Sequence, residues 1–177
     1  MSLLNKQYLI ALAIVVGVTV VILRLFVFEA FFVRGDSMAP TLLSGDFVLV
    51  YKLAYVGDLE PERGDIVVAI PRVLPQKVIK RVIGLPGEYF EILNQKITIK
   101  NSRTDEGVAI DEPYLEFPNT PEIGKTKTNI DPKEYFMLGD NRNVSIDSRE
   151  LGMVDEWDIK GRVFGTISFK RLKYIGF

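Results

Sequence analysis

The chain has 177 residues, a formal net charge of −1, and neither histidine nor cysteine. That length suits one compact domain with a short appendage, and the balanced charge gives no electrostatic footprint for nucleic acid. Without cysteine there are no disulfides, thiolate nucleophiles or Cys-ligated metals; without histidine there is no imidazole base, no Ser-His-Asp triad and no ordinary zinc site. Hydrolytic chemistry in this chain has to run on Ser, Thr, Lys, Tyr, Asp or Glu.

Tyr8 to Leu23 carries no charge (YLIALAIVVGVTVVIL), and after Arg24 the apolar run resumes to Phe28. As a helix, residues 8–28 span about 31 Å at ~1.5 Å per residue, close to the hydrocarbon thickness of a bilayer. Arg24 lies where a long side chain can reach the headgroups, and Phe26, Phe28, Phe31 and Phe32 suit the interfacial zone. A cleaved leader is the competing reading, but no small-x-small site follows the run: Ala30 precedes two phenylalanines. Residues 1–34 are therefore expected to form a membrane anchor, with the lipid bilayer as a partner. Lys6 on one side and Arg24 and Arg34 on the other leave its orientation undecided.

After Val33 the pattern becomes short apolar runs between turn signals. Strands are expected at Phe47–Tyr51, Ile66–Ile70, Lys77–Ile83, Tyr89–Leu93, Lys96–Lys100, Tyr135–Leu138 and Arg162–Phe169, bounded by Ser-Gly-Asp, Arg-Gly-Asp, Leu-Pro-Gly and Asn-Gln turns. No long helical period occurs. The fold class expected for residues 35–177 is mainly β, a folded-over, barrel-like antiparallel sheet behind the N-terminal transmembrane helix. Residues 101–132, with Pro113, Pro118 and Pro121, read as a short irregular insertion.

Three segments could carry chemistry. In Gly35-Asp36-Ser37-Met38-Ala39-Pro40-Thr41-Leu42, a serine sits between a flexible glycine and a rigid proline, as either a plain turn or a nucleophile loop. In Lys77-Val78-Ile79-Lys80-Arg81-Val82-Ile83, a strand sends Val78, Lys80 and Val82 to one face and Ile79, Arg81 and Ile83 to the other. One of these cations is thus flanked by core residues, either as a snorkelling lysine or as a desolvated one. Free lysine, with a pKa of about 10.4, is neutral only about once in 2,500 molecules at pH 7; burial lowers that pKa. Gly139-Asp140-Asn141-Arg142-Asn143-Val144-Ser145-Ile146-Asp147-Ser148-Arg149 is dense in polar groups. It reads as a solvated turn or as a hydrogen-bonded scaffold; two carboxylates interleaved with cations make a poor metal loop.

Taken in order behind an apolar anchor, SMAPTL, KRVIGLPG and GDNRNVSIDSR resemble the signature boxes of bacterial type I signal peptidases, and GDFVLV (45–50) and RGDIVV (63–68) resemble the intervening boxes. The resemblance covers nearly the whole chain. It implies a membrane-bound serine endopeptidase with a Ser–Lys dyad that removes signal peptides from exported preproteins. Such enzymes cut after small residues at −1 and −3, with no cofactor, metal or nucleic acid. By this resemblance Ser37 is the nucleophile and Lys80 the base. Ser145 hydrogen-bonds and orients Lys80, Asp147 and Arg149 form a supporting ion pair, and Asp140, Asn141 and Arg142 share the scaffold. Met137, Leu138 and Ile146 supply apolar surroundings for the lysine, and the Ser37 N–H helps hold the oxyanion. Some members carry a serine two residues before the nucleophile; here Gly35 stands there, as in Gram-positive-type members, and one oxyanion donor is unassigned. Val33, Met38, Leu42, Val78 and Ile79 flank the dyad in sequence and are the candidates for lining the substrate pockets. The family places the catalytic domain on the external face of a single-pass protein. A soluble self-cleaving Ser–Lys peptidase and a non-catalytic tethered β-domain are the alternatives. The apolar segment disfavours the first; the joint presence of Ser37, Lys80 and Ser145 disfavours the second.

Overall fold

A computed structural model describes residues 3–117 and 120–177; Pro118 lies outside the described residues. The chain opens with helix α1 (Leu3–Ile22), continues through a π-helical turn (Leu23–Val27), and enters strand β1 (Phe28–Phe32). Residues 6–27 are long and apolar enough to cross a membrane, and none of them is buried in the chain. Strands β2 (Phe47–Tyr51), β3 (Ile66–Ala69), β4 (Val78–Gly84), β5 (Tyr89–Leu93), β6 (Lys96–Lys100), β7 (Val108–Ala109), β8 (Lys127–Asn129) and β9 (Glu134–Leu138) follow. A single helical turn, α2 (Ser148–Leu151), leads to β10 (Val154–Asp155), β11 (Ile159–Ser168) and β12 (Lys173–Gly176).

The main sheet runs β1-β2-β11-β3-β4-β9-β10, with β12 also paired to β11, and every pairing is antiparallel. Register shifts at Val163/Gly165, Ile159/Gly161 and Val82/Gly84 are bulges that raise the local twist and help curl the sheet into a half-barrel. The smaller sheet runs β7-β6-β5-β8. The expected class, a mainly β fold behind an apolar helix, is what the chain adopts.

Two stretches differ from the sequence reading. The anchor was expected to reach about Phe28 with no strand before Gly35, yet β1 pairs along its length with β2, from Phe28↔Tyr51 to Phe32↔Phe47. The unbroken apolar run hides the change from a 3.6-residue to a 2-residue period. In β1, Phe31 packs on the core while Phe28 and Phe32 face outward. The segment 101–132 is less irregular than expected: it holds β7 and β8, which complete the small sheet.

Three apolar clusters hold the domain. The first joins Val48 and Val50 of β2, Ile66 and Val68 of β3, and Val163 of β11 to Val33, Met38 and Leu42 from the loop after β1. A second gathers Val67, Val82, Tyr135 and Met137 with Val78 at its margin. The third fastens the small sheet to the large one through Ile83, Phe136 and Leu138 against Phe90, Ile92 and Ile97. There the Phe90 and Phe136 rings stack at 4.0 Å between centroids.

Candidate active site

The loop after β1 is pinned from below and from the side. Met38 and Leu42 turn inward and are fully buried in the first cluster. From the turn between β11 and β12, Arg171 donates to the carbonyls of Pro40 (2.9 Å) and Thr41 (3.0 Å) and to the Asp46 carboxylate (2.9 Å). A third tie comes from the polar loop after β9, whose Asn141 N–H donates to the Ser37 carbonyl at 3.0 Å. Ser37 is thereby held outward at the lip of the sheet.

Lys80 comes from β4, opposite Val67 of β3. Its Nζ donates to Ser37 Oγ at 2.9 Å, although the two residues are 43 positions apart. The residue is only 5% exposed. Burial pushes its pKa down to about 8; Asp147 pulls upward, Arg149 downward and Asp140 upward, each less strongly. About one molecule in ten then carries a neutral amine at pH 7. Of the apolar neighbours expected for it, Met137 and Leu138 are buried on β9, but Ile146 is 56% exposed and belongs to the surface.

Beside the pair lies a network of buried ions. Asp147 caps α2, accepts the Gly139 N–H (3.0 Å), and takes both Nε and Nη2 of Arg149 at 2.9 Å. Arg142 donates to the Gly139 carbonyl (3.0 Å) and to Glu112 and Thr120. Asp140 receives a bidentate fork from Arg81 (2.9 and 2.6 Å) and the Thr41 hydroxyl. The Arg81 guanidinium lies 3.8 Å above the Tyr114 ring. Arg81, Thr41, Glu112, Tyr114, Thr120 and Arg171 were not assigned to the site from sequence. For Arg81 a signal existed: a cation on the second face of a core strand needs a buried anion, and Asp140 was at hand.

Ser145 is buried, but its hydroxyl has no hydrogen-bond partner among the described residues, so the expected bond to Lys80 is not made. The Ser145 Oγ fills the space over Gly139, where a Cβ would lie 2.2 Å from it and 2.4 Å from the Ser37 carbonyl. Glycine is obligatory at 139 for that close approach. Gly35 has φ +82° and open space where a side chain would stand, so no hydroxyl is supplied there. Among the described residues the Ser37 N–H has no acceptor, which leaves it available to a ligand.

A cleft of about 780 Å³ leads up to Ser37 and Lys80. One wall is residues 30–34, the other residues 76–80. Of the residues expected at the substrate pockets, Val33, Met38, Val78 and Ile79 line this cleft, whereas Leu42 is turned into the core. Both walls are free strand edges. β1 ends the sheet, and β4 pairs with β9 only from Arg81 onward. With four antiparallel steps between them, the two walls run in the same direction, toward the serine. Among the described residues no cluster of acidic side chains is placed to hold a metal.

A family model described as signal peptidase, peptidase S26, matches residues 5–167. The chain belongs to this peptidase family. It is 36% identical to signal peptidase I of Bacillus licheniformis over 89% of this chain and 84% of that one. Against signal peptidase I of Bacillus amyloliquefaciens it is 38% identical, over 89% and 81%. A solved signal peptidase I from Enterococcus faecalis V583 superposes with a TM-score of 0.49 at 30% identity, over 59% of this chain and 97% of that one. In this chain the polar pair at the floor of the cleft is Ser37 and Lys80.

Proposed function

We propose that this chain is a membrane-anchored signal peptidase that removes signal peptides from exported preproteins, with Ser37 as nucleophile and Lys80 as general base. The observation that carries the reading is the 2.9 Å contact between Lys80 Nζ and Ser37 Oγ with the lysine buried and its pKa near 8. In the neutral form the amine accepts the Ser37 proton as Oγ attacks the scissile carbonyl. The oxyanion lies against the Ser37 N–H. The resulting ammonium returns its proton to the leaving amine. Water then enters and attacks the ester between Ser37 and the signal peptide; Lys80 takes a proton from the water and passes it to the departing Ser37 Oγ, which restores the starting state. No step needs histidine.

The cleft suggests how substrate is held. An extended segment can lie between the edges of residues 30–34 and 76–80, hydrogen-bonded by main chain to both. Side chains then alternate, and those at −1 and −3 point the same way. The apolar wall from Val33, Met38, Val78 and Ile79 supports a preference for small residues there. The apolar part of a signal peptide precedes the cut and sits in the bilayer. Its upstream end therefore belongs at the far end of the cleft, beside the exit of residues 6–27 from the proposed membrane span. The family resemblance favours an external catalytic domain.

The test is cleavage of a preprotein bearing an Ala-x-Ala site by the detergent-solubilised full chain. Wild-type protein should release the mature form; Ser37→Ala and Lys80→Ala should each lose at least 10³-fold in rate, about 4 kcal/mol of transition-state stabilisation. An inert wild type, or full activity in either variant, contradicts the proposal.

A further inference from the structure

At the end of the cleft away from Ser37, an ion pair joins the two walls. Glu29 lies on β1, and Lys77 lies just before β4, 48 positions later; Lys77 Nζ donates to Glu29 Oε1. The ammonium also lies 5.9 Å from the centre of the Phe31 ring. The Lys77 side chain is 43% exposed and that of Glu29 23%. Such a pair is weakly held and can be parted at little cost. Lys77 itself lines the cleft, whereas Glu29 is not among the residues that line it. The charged side chains lining the cleft are all cationic, Arg34, Lys77 and Lys80, and no carboxylate lines it among the described residues.

We propose that Lys77 is a specificity-determining residue that reads the charge of the substrate about four residues before the cut, favouring an acidic side chain over a basic one. This rests on the reading of the cleft as the seat of an extended signal peptide. Lys77 precedes Lys80 by three positions, about 10 Å along a strand at ~3.3 Å per residue. A substrate strand parallel to both walls, with its −1 residue beside Lys80, places its −4 residue beside Lys77. An extended chain passing there meets the Glu29–Lys77 pair. An acidic side chain takes over from Glu29 as partner to the ammonium. A basic one meets a like charge and displaces nothing. Glu29 thus sets the strength of the preference: with Glu29 bound, the field of Lys77 is partly spent.

The measurement uses the full chain in detergent and fluorogenic peptides with an Ala-x-Ala site, matched except for Asp or Lys at −4. A second matched pair carries the change at −5, since pairing can be staggered by one residue. Wild type should cleave the Asp peptide of one pair with a two- to fivefold higher kcat/KM, the difference lying in KM. Lys77→Glu should reverse the order, Lys77→Gln should abolish it, and Glu29→Gln should widen it. Rising salt should shrink the wild-type preference, because the contact is half exposed. A preference that is absent, or that is unchanged in Lys77→Glu, overturns the inference while leaving the dyad intact. A wild type that cleaves none of the peptides overturns the Ser–Lys reading and this inference with it.

Discussion

As the proposed base, Lys80 meets two opposed demands, since the burial that favours its neutral amine also penalises its charge. Free lysine holds its proton to about pH 10.4, whereas the folded residue holds it only to about 8. Activity carried by the neutral amine should therefore rise with pH through a midpoint near 8. A kcat/KM profile on a soluble peptide checks this, and a flat profile between pH 6 and 10 would exclude Lys80 as base. The stability sign follows from the same shift. Below pH 8 the native state must keep a proton on a buried amine, which costs of order 3 kcal/mol; the cost fades as pH rises from 8 to about 10.5, where the unfolded lysine also loses its proton. Lys80→Met should raise the urea midpoint at pH 7 and should gain progressively less toward pH 10.5. This residue was legible in the sequence because the missing histidines and cysteines left few bases to choose among. Ser145 was legible as a residue but not as a contact, since the direction of its hydroxyl is fixed by the space over Gly139. Leu42 was misplaced because a loop read from sequence has no inside; only the packing of Met38 and Leu42 under β2 and β3 gives it one.

Strand β4 joins chemistry to scaffold by alternation. Lys80 reaches Ser37, and the next residue, Arg81, turns to the other face and takes Asp140 in a buried fork. That fork ties β4 to the loop whose Asn141 N–H holds the Ser37 carbonyl, so one ion pair connects the elements carrying Ser37 and Lys80. Its worth lies in what is left when half is removed. Asp140→Ala strands a guanidinium that is 9% exposed and should cost about 3–5 kcal/mol of unfolding free energy, with a matching loss of kcat. The double variant Arg81→Met/Asp140→Leu should recover most of the stability, and much less of the activity, since Thr41 and the loop lose their anchor. Chemical denaturation of the three proteins gives the comparison. At this scale the strands were largely readable, with Phe47–Tyr51, Tyr89–Leu93 and Lys96–Lys100 at the observed bounds, because turn signals flank them. β1 was not, because nothing polar separates it from the helix. β7, β8, β10 and β12 were not, because two to four residues carry too little period to register. The links from Glu112, Tyr114 and Thr120 to Arg142 and Arg81 cross 22 to 33 positions and leave no local trace.

The proposed membrane setting is a property of the whole molecule, because the helix and an apolar sheet face lie on connected elements. The Lys52 N–H donates to the Val27 carbonyl at 2.8 Å, joining the exit of the helix to the end of β2. On the outer face of β1, Phe28 meets Tyr51 and Phe164, and Phe32 meets Phe47 and Phe169, with centroids 5.1–6.3 Å apart. Leu172, 88% exposed, follows in the next turn. An aromatic face of this kind costs solvation in water and suits the headgroup zone of a bilayer. It begins where the apolar residues 6–27 end, so insertion of that helix would bring the face to the lipid, and the cleft beside β1 with it. In that setting a signal peptide confined to the same bilayer would reach Ser37 by lateral diffusion at a raised effective concentration. Replacing Phe169 and Leu172 together by serine weakens the sheet's hold on the surface while leaving the cleft lining, the proposed span and the proposed dyad in place. In proteoliposomes this variant should process a membrane-inserted preprotein several-fold more slowly than wild type. In detergent it should cleave a short soluble peptide within about twofold of wild type. Equal loss on both substrates would mean that the substitutions had damaged the cleft through Phe32, which packs on Phe169, and equal retention would mean that the helix alone positions the domain.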